Sequence, residues 1–185
     1  MAQPADGTPA VPARPLSELT PKTRAPASAA VLNQWISHAE KTLGVPAAGG
    51  RMGWLVASTV VIAVLQQVVD PTGTPTFLLN GGTMLQHRLG LSARATSDVD
   101  GLVRGDLDRF IEELDVVMTK EWGPLTMTRS EIEAINAPTR VQKPRRFQVH
   151  VALRGQKWRR ASATSPTVPR SPGLRWRWAT CMTGA

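Results

Sequence analysis

The sequence predicts a single domain of the mixed α+β class, in which a small mixed sheet is flanked by helices. Three observations predict this class. Residues 29–43 and 106–118 repeat apolar side chains at helical spacing, and the short runs 76–79 and 98–103 have the length and boundaries of strands. Residues 147–153 alternate apolar with polar side chains, as a half-buried strand does. A chain of 185 residues is long enough to bury the core of such a domain.

The first predicted helix begins near Ala29 and ends at Gly44, a residue type that is common at helix ends. Residues 1–28 before it are dominated by Ala, Pro, Thr and Ser, and such a composition cannot offset the entropy lost on ordering. We therefore expect a disordered leader at 1–28. A glycine-rich linker is predicted after the helix, and its glycines are Gly49, Gly50 and Gly53.

The most apolar segment, 54–69, predicts a buried helix, because it is longer than most strands although it is rich in β-branched residues. It is too short and too polar to span a bilayer. A buried strand is predicted next at 76–79, and Thr83 then opens a helix of about two turns. That helix is expected to carry Met84, Leu85 and Leu89 on one face.

The second half of the domain continues with a strand at 98–103 and a helix that begins at Asp106. The expected core stripe of this helix is formed by Leu107, Phe110, Ile111, Leu114 and Val117 or Met118. The alternating segment 147–153 predicts a last strand. These boundaries place the domain at 29–155 and leave 156–185 as a basic, unstructured tail.

The charge is concentrated in this last part of the chain. The net charge is +8, yet residues 1–140 carry 12 basic and 14 acidic residues, whereas residues 141–185 carry 10 basic residues and no acidic ones. Three interpretations remain open for the tail: a disordered basic end, a single-strand nucleic-acid binder that uses Arg175-Trp176-Arg177-Trp178, or a reading frame shifted near Trp158.

Two carboxylates and a glycine turn are the sequence features that indicate a functional site. Asp98 and Asp100 are two positions apart on a predicted strand, so both side chains project from one face and can converge on a divalent cation. Such oxygen ligands favour Mg²⁺. The turn Gly81-Gly82-Thr83 lies between a strand and a helix, where backbone N–H groups can approach a phosphate and the Thr83 hydroxyl can add a donor. Together the two motifs predict a site for a metal and a triphosphate.

The residues around these motifs resemble a known family. The segment Phe77-Leu78-Leu79-Asn80-Gly81-Gly82-Thr83, followed by Arg94-Ala95-Thr96-Ser97-Asp98-Val99-Asp100, is similar to the AbiEii/AbiGii nucleotidyltransferase toxins. The resemblance implies a polymerase-β-like nucleotidyltransferase fold that uses Mg²⁺ and a nucleoside triphosphate. It implies transfer of a nucleotide to RNA such as the tRNA 3′ end, in a type IV toxin-antitoxin or abortive-infection system with a cognate antitoxin.

The resemblance also assigns roles to residues. Asp98 and Asp100 would be the catalytic residues and hold the metal. The residues that would bind the nucleotide are Gly81, Gly82, Thr83 and Arg94.

A third carboxylate, which this superfamily normally carries on a later strand, is missing from the expected place. No Asp or Glu follows Glu133, and the last predicted strand offers His150 instead. Neutral imidazole is a poor ligand for Mg²⁺. Glu131 and Glu133 could substitute if they lie on a strand, although an exposed turn is the simpler interpretation. The alternative function is therefore a truncated or degenerate relative that binds nucleotide or RNA without catalysis.

The cellular compartment is inferred from cysteine usage and from the absence of a targeting pattern. Cys181 is the single cysteine, so no internal disulfide can form, and no stretch has the pattern of a secretory signal. We expect a cytoplasmic protein with no membrane partner.

Overall fold

A mixed sheet with helices packed against it forms the fold in the computed structural model, which describes residues 15–44, 50–89, 96–135, 144–165 and 167–168. A short 3₁₀ helix precedes the α-helices at Leu16–Glu18. The helices are α1 (Ala29–Leu43), α2 (Arg51–Leu65), α3 (Gly81–Leu89) and α4 (Leu107–Met118). The strands are β1 (Phe77–Asn80), β2 (Asp98–Arg104), β3 (Leu125–Arg129), β4 (Glu133–Ala134), β5 (Arg145–Leu153), β6 (Gln156–Ser165) and β7 (Thr167–Val168). The predicted mixed α+β class is confirmed.

The sheet has the strand order β1-β2-β6-β5-β3. Strand β2 pairs antiparallel with β1 and parallel with β6, while β5 pairs antiparallel with both β6 and β3. The two short strands lie off this path: β4 pairs with β5, and β7 pairs with β2. Strand β2, which carries Asp98 and Asp100, therefore has a bonded strand on each side.

Helix α1 has the predicted bounds because both of its ends are capped. The Ser28 hydroxyl accepts a hydrogen bond from the Val31 N–H at 3.3 Å, and Gly44 ends the helix with a left-handed φ of 67°. The segment before α1 corrects one prediction: within the expected disordered leader, residues 15–28 are described, and Leu19 packs against the small cluster between α1 and α2. Residues 1–14 lie outside the described part of the chain.

Helix α2 begins earlier than the sequence predicted. It starts at Arg51, so Gly53 belongs to the helix and not to the linker before it. A side chain at Gly53 would collide with the guanidinium of Arg159, which lies against this point of the helix. The glycine therefore allows α2 to approach β6 closely. None of the described helices is long and apolar enough to cross a membrane.

Helix α4 confirms the predicted stripe. Asp106 caps it by accepting a hydrogen bond from the Arg109 N–H at 2.8 Å. Its buried side chains pack on the core face of the sheet, and they are Leu107, Phe110, Ile111, Leu114 and Met118. Arg129 of β3 donates two hydrogen bonds of 2.6 Å to the Asp115 carboxylate. This ion pair links α4 to the strand β3 at the edge of the sheet.

Helix α3 starts earlier than predicted, and its apolar residues do not form its buried face. It begins at Gly81, two residues before Thr83, and its buried residues are Thr83 and Gln86. Leu85 and Leu89 are exposed instead, at 49% and 60%. Because the Thr83 hydroxyl is bonded to β2, the helix turns this polar face inward and leaves the apolar residues at the surface.

Strand β6 corrects the prediction of an unstructured tail from residue 156. It pairs with β5 along its length and with β2 at Ser162, Ala163 and Thr164. The buried positions are occupied by Ala161 and Ala163, whose small side chains do not produce a visible apolar alternation. Residues 169–185 lie outside the described part of the chain. The domain division itself stays a prediction.

Candidate functional site

The glycine turn and the carboxylate strand meet at the junction of β1 and α3. Asn80, the last residue of β1, pairs with Asp100 of β2, and the chain turns at Gly81 with a φ of 65°. A Cβ atom placed on Gly81 would lie 2.8 Å from Oδ2 of Asp100 and 3.1 Å from its Cβ. Only glycine satisfies both the positive φ and this close approach. The two motifs therefore lie next to each other, as their order along the chain predicted.

Gly82 continues this close contact between the turn and β2. A Cβ atom on Gly82 would lie 3.2 Å from Oγ1 of Thr96, just before β2. Gly81 and Gly82 are both half-buried, and they occupy the first turn of α3. The N–H groups at such a position have no acceptor within the helix and can face an anion.

Thr83 has a different contact from the one expected. Its side chain is fully buried, and its hydroxyl donates a hydrogen bond to the backbone carbonyl of Asp98. The hydroxyl proton is therefore engaged by the protein and is not offered to a phosphate. Thr83 is a positioning residue that ties the start of α3 to the strand carrying the carboxylates.

The carboxylates of Asp98 and Asp100 share one face of β2, since Val99 between them is buried on the opposite face. Both side chains are half-buried, and the Ser97 hydroxyl donates to Oδ2 of Asp98 at 3.3 Å. Burial raises the pKa of Asp100, the charge of Asp98 raises it further, and the nearby Arg146 lowers it. The two acids thus repel each other in a partly desolvated setting.

A divalent cation fits this pair. The mutual repulsion would be relieved by a cation between them, and Mg²⁺ is commonly held by one or two carboxylates together with phosphate oxygens. Within the described residues, no group of three or more His, Cys, Asp or Glu side chains could hold a metal. The protein therefore offers two carboxylates here, and the remaining ligands would have to come from substrate and water.

The strands beside β2 bring no third carboxylate to Asp98 and Asp100. The β6 residues opposite them are Ser162 and Thr164. His150 of β5 pairs with Arg160 of β6, which places it two strands away from β2 at a spacing of about 5 Å per strand. The structure thus does not bring His150 next to the carboxylates.

The acidic pair Glu131 and Glu133 is also remote. Glu133 belongs to the two-residue strand β4, which pairs with β5 on the side away from β6, and Glu131 precedes that strand. Both side chains are exposed. Neither residue takes the place of the missing carboxylate.

Two arginines also bear on the site. Arg94, which the resemblance placed near the nucleotide, lies outside the described residues. Arg146 was not singled out from the sequence, although its charge acts on Asp100. The signal for it was present in the alternation of β5, where the same polar face carries Arg146, Gln148 and His150.

Comparison with known proteins identifies the family of the chain. The family model described as "Nucleotidyl transferase AbiEii toxin, Type IV TA system" matches residues 63–167, which include the glycine turn and both carboxylates. No curated protein matches the chain. The match continues past Trp158 to the start of β7, so it does not support a reading frame shifted near Trp158. The chain belongs to the AbiEii family of nucleotidyl transferase toxins of type IV toxin-antitoxin systems.

Proposed function

We propose that this protein transfers a nucleotide from a nucleoside triphosphate to an RNA acceptor, such as a tRNA 3′ end, and that a cognate antitoxin opposes it in the cytoplasm. The observation that carries the proposal is the contact between Gly81 and Asp100, which joins the turn and the carboxylate pair. A nucleotidyl transfer site needs both parts, because phosphates must be held while charge develops on them.

The glycine turn would hold the triphosphate. The N–H groups of Gly81 and Gly82 lie at the positive end of α3, a helix of nine residues. Their half-burial restricts water around the phosphates, which strengthens hydrogen bonds to them. Thr83 keeps this turn in register with β2 through its bond to Asp98. Arg94 would add positive charge, as the family resemblance suggests.

The carboxylates would hold Mg²⁺. When bound, the metal supplies a positive charge that neutralises phosphate oxygens and favours the attack of a hydroxyl. Asp98 and Asp100 fix its place relative to the turn, because both belong to one strand that is paired on each side. Partial burial strengthens the repulsion between the two carboxylates, which a bound cation would relieve.

The proposal is tested by incubating the protein with α-labelled nucleoside triphosphates and total RNA in Mg²⁺. Label is expected on RNA with wild type and none with Asp98→Ala plus Asp100→Ala. The control removes two exposed acids elsewhere, Glu112→Ala plus Glu121→Ala, and should label RNA as wild type does. Equal labelling by wild type and the Asp98/Asp100 variant would contradict the site.

A second candidate is a relative that binds nucleotide or RNA without transfer. The observation that favours it is the pairing of Asp98 and Asp100 with Ser162 and Thr164, which supply hydroxyls where a third carboxylate would be close enough to act. This candidate predicts triphosphate or RNA binding by wild type together with no labelled RNA in the same assay.

A further inference from the structure

A row of paired residues crosses the sheet at the level of the proposed site. Each residue is the direct register partner of the next, and the row runs Asn80, Asp100, Thr164, Arg146 and Glu133. Direct partners project from the same face of a sheet. This is the face opposite to the core, because the neighbours Val99, Ala163 and Phe147 are buried in the core.

The side chain of Arg146 extends along this row toward the carboxylates. Its Nε donates a long hydrogen bond of 3.5 Å to Oγ1 of Thr164, which stands between Arg146 and Asp100. The side chain is exposed, and within the described residues it forms no ion pair, although Glu133 is opposite it on β4. Arg146 is therefore a cation that is available to a ligand beside the site.

The order of groups along the row indicates which ligand this is. The glycine turn follows Asn80 at one end, Asp100 lies next, and Arg146 lies beyond it on the other side. In phosphoryl and nucleotidyl transfer the leaving group and the attacking hydroxyl lie roughly in line, on opposite sides of the reacting phosphorus. If the turn holds the phosphates that leave, the acceptor enters from the side of Arg146.

We propose that Arg146 binds a backbone phosphate of the RNA acceptor strand, next to the hydroxyl that is to receive the nucleotide. This inference rests on the proposed function, since it uses the turn as the triphosphate site. A guanidinium presents paired donors that match two phosphate oxygens. Farther along the same face, exposed Arg160 stands directly opposite His150 and continues the positive surface away from the carboxylates.

The test compares RNA binding with triphosphate binding in the intact protein. A short labelled RNA with a free 3′ hydroxyl is titrated at several salt concentrations, and a nucleoside triphosphate with Mg²⁺ is titrated separately. Arg146→Ala is expected to weaken RNA binding on the order of tenfold near 0.1 M salt and to reduce the salt slope by about 1. Triphosphate binding should weaken much less than RNA binding, since Arg146 acts on that part of the site only through its charge on Asp100. Arg146→Lys should keep the wild-type slope because it keeps the charge.

The matched control is Arg109→Ala. Arg109 is exposed on α4, the helix that packs on the other face of the sheet, so its loss removes one charge without touching the row. An Arg146→Ala variant that binds RNA like Arg109→Ala overturns the inference. A wild type that does not bind the RNA also overturns it, as does an Arg146→Ala variant that loses triphosphate binding and keeps RNA binding.

These outcomes separate the inference from the proposed function. Both titrations are made without turnover, whereas the proposed function is judged by the transfer of label in the Asp98/Asp100 variant. Acid-dependent transfer with unchanged RNA binding in Arg146→Ala refutes the inference alone. RNA binding that Arg146→Ala weakens, together with no label transfer by wild type, refutes the proposed function alone.

Discussion

Gly81 and Asp100 are packed so closely that no side chain fits between them. A Cβ atom on Gly81 would be 2.8 Å from Oδ2 of Asp100, and the φ of 65° at Gly81 is itself unfavourable for other residues. The glycine thus determines how near the α3 N-terminus comes to the carboxylate. The first prediction follows from this distance.

Gly81→Ala is expected to lower transfer on the order of a hundredfold, because the added methyl group displaces the Asp100 carboxylate from the turn. Gly44→Ala is the matched control, since Gly44 has a φ of 67° and nothing within 4 Å of an added Cβ. Both variants should lose about 1–2 kcal/mol of unfolding free energy from backbone strain. Labelled RNA and chemical denaturation measure the two effects. Equal activity in the two variants would show that the contact is unimportant.

Thr83 is expected to act through its hydroxyl on Asp98 and not on the substrate. Thr83→Val keeps the shape but leaves the Asp98 carbonyl without this partner, at a cost of about 1–3 kcal/mol of unfolding free energy. Thr83→Ser retains the hydroxyl, so it should transfer nucleotide at close to the wild-type rate. A substrate contact would instead appear as weaker triphosphate binding by Thr83→Val with unchanged stability.

Asp100→Asn is expected to stabilise the protein in metal-free buffer. The wild-type carboxylate is partly buried and repelled by Asp98, and both effects disfavour its charged form in the folded protein. Thermal unfolding measures the gain, and Glu112→Gln at an exposed position should show none. A lower melting temperature for Asp100→Asn would mean that an unrecognised partner stabilises the charged carboxylate.

His87 is expected to make stability depend on pH below the ordinary histidine pKa. Burial lowers the pKa of His87 from 6.5, and its Nε2 lies 3.2 Å from the buried Ser58 hydroxyl. The unfolded chain therefore takes up the proton at a higher pH than the folded protein, so stability falls as the pH drops through 6.5 toward the folded pKa.

Thermal unfolding between about pH 7.5 and about pH 5.5 checks this expectation. His87→Gln should lose less stability over that interval than wild type does. His38→Gln, at an exposed position of α1, should follow wild type. A steeper loss in His87→Gln than in wild type would contradict the role of His87.

Sequence patterns predicted those elements whose own apolar residues mark the face that packs against the rest of the fold. Strand β2 alternates acid and apolar residues, and α4 repeats large apolar residues on one face, so both were correctly identified. The pairing of the turn with Asp98 and Asp100 followed from their order along the chain, because a strand, a turn, one helix and a second strand return to the same end of the sheet.

The wrong predictions concern elements whose secondary structure or buried face is decided by tertiary contacts. Strand β6 buries alanines beneath α2, and arginine, serine and threonine alternate with them, so its local sequence resembles a polar tail. Helix α3 buries Thr83 and Gln86 because a side-chain bond to β2 sets its rotation. The alternation of β5 places Arg146 on the polar face, but its position near Asp100 depends on strand pairings that span residues 80 to 164.

The central claim, that the turn and the two carboxylates form one nucleotide site, is tested most directly by calorimetric titration with a non-reactive α,β-methylene triphosphate, with and without Mg²⁺. Wild type should bind more tightly when Mg²⁺ is present. Asp98→Asn plus Asp100→Asn should bind with the same affinity in both buffers. A strengthening by Mg²⁺ that persists in the double variant, or wild type that does not bind the analogue, would contradict the account.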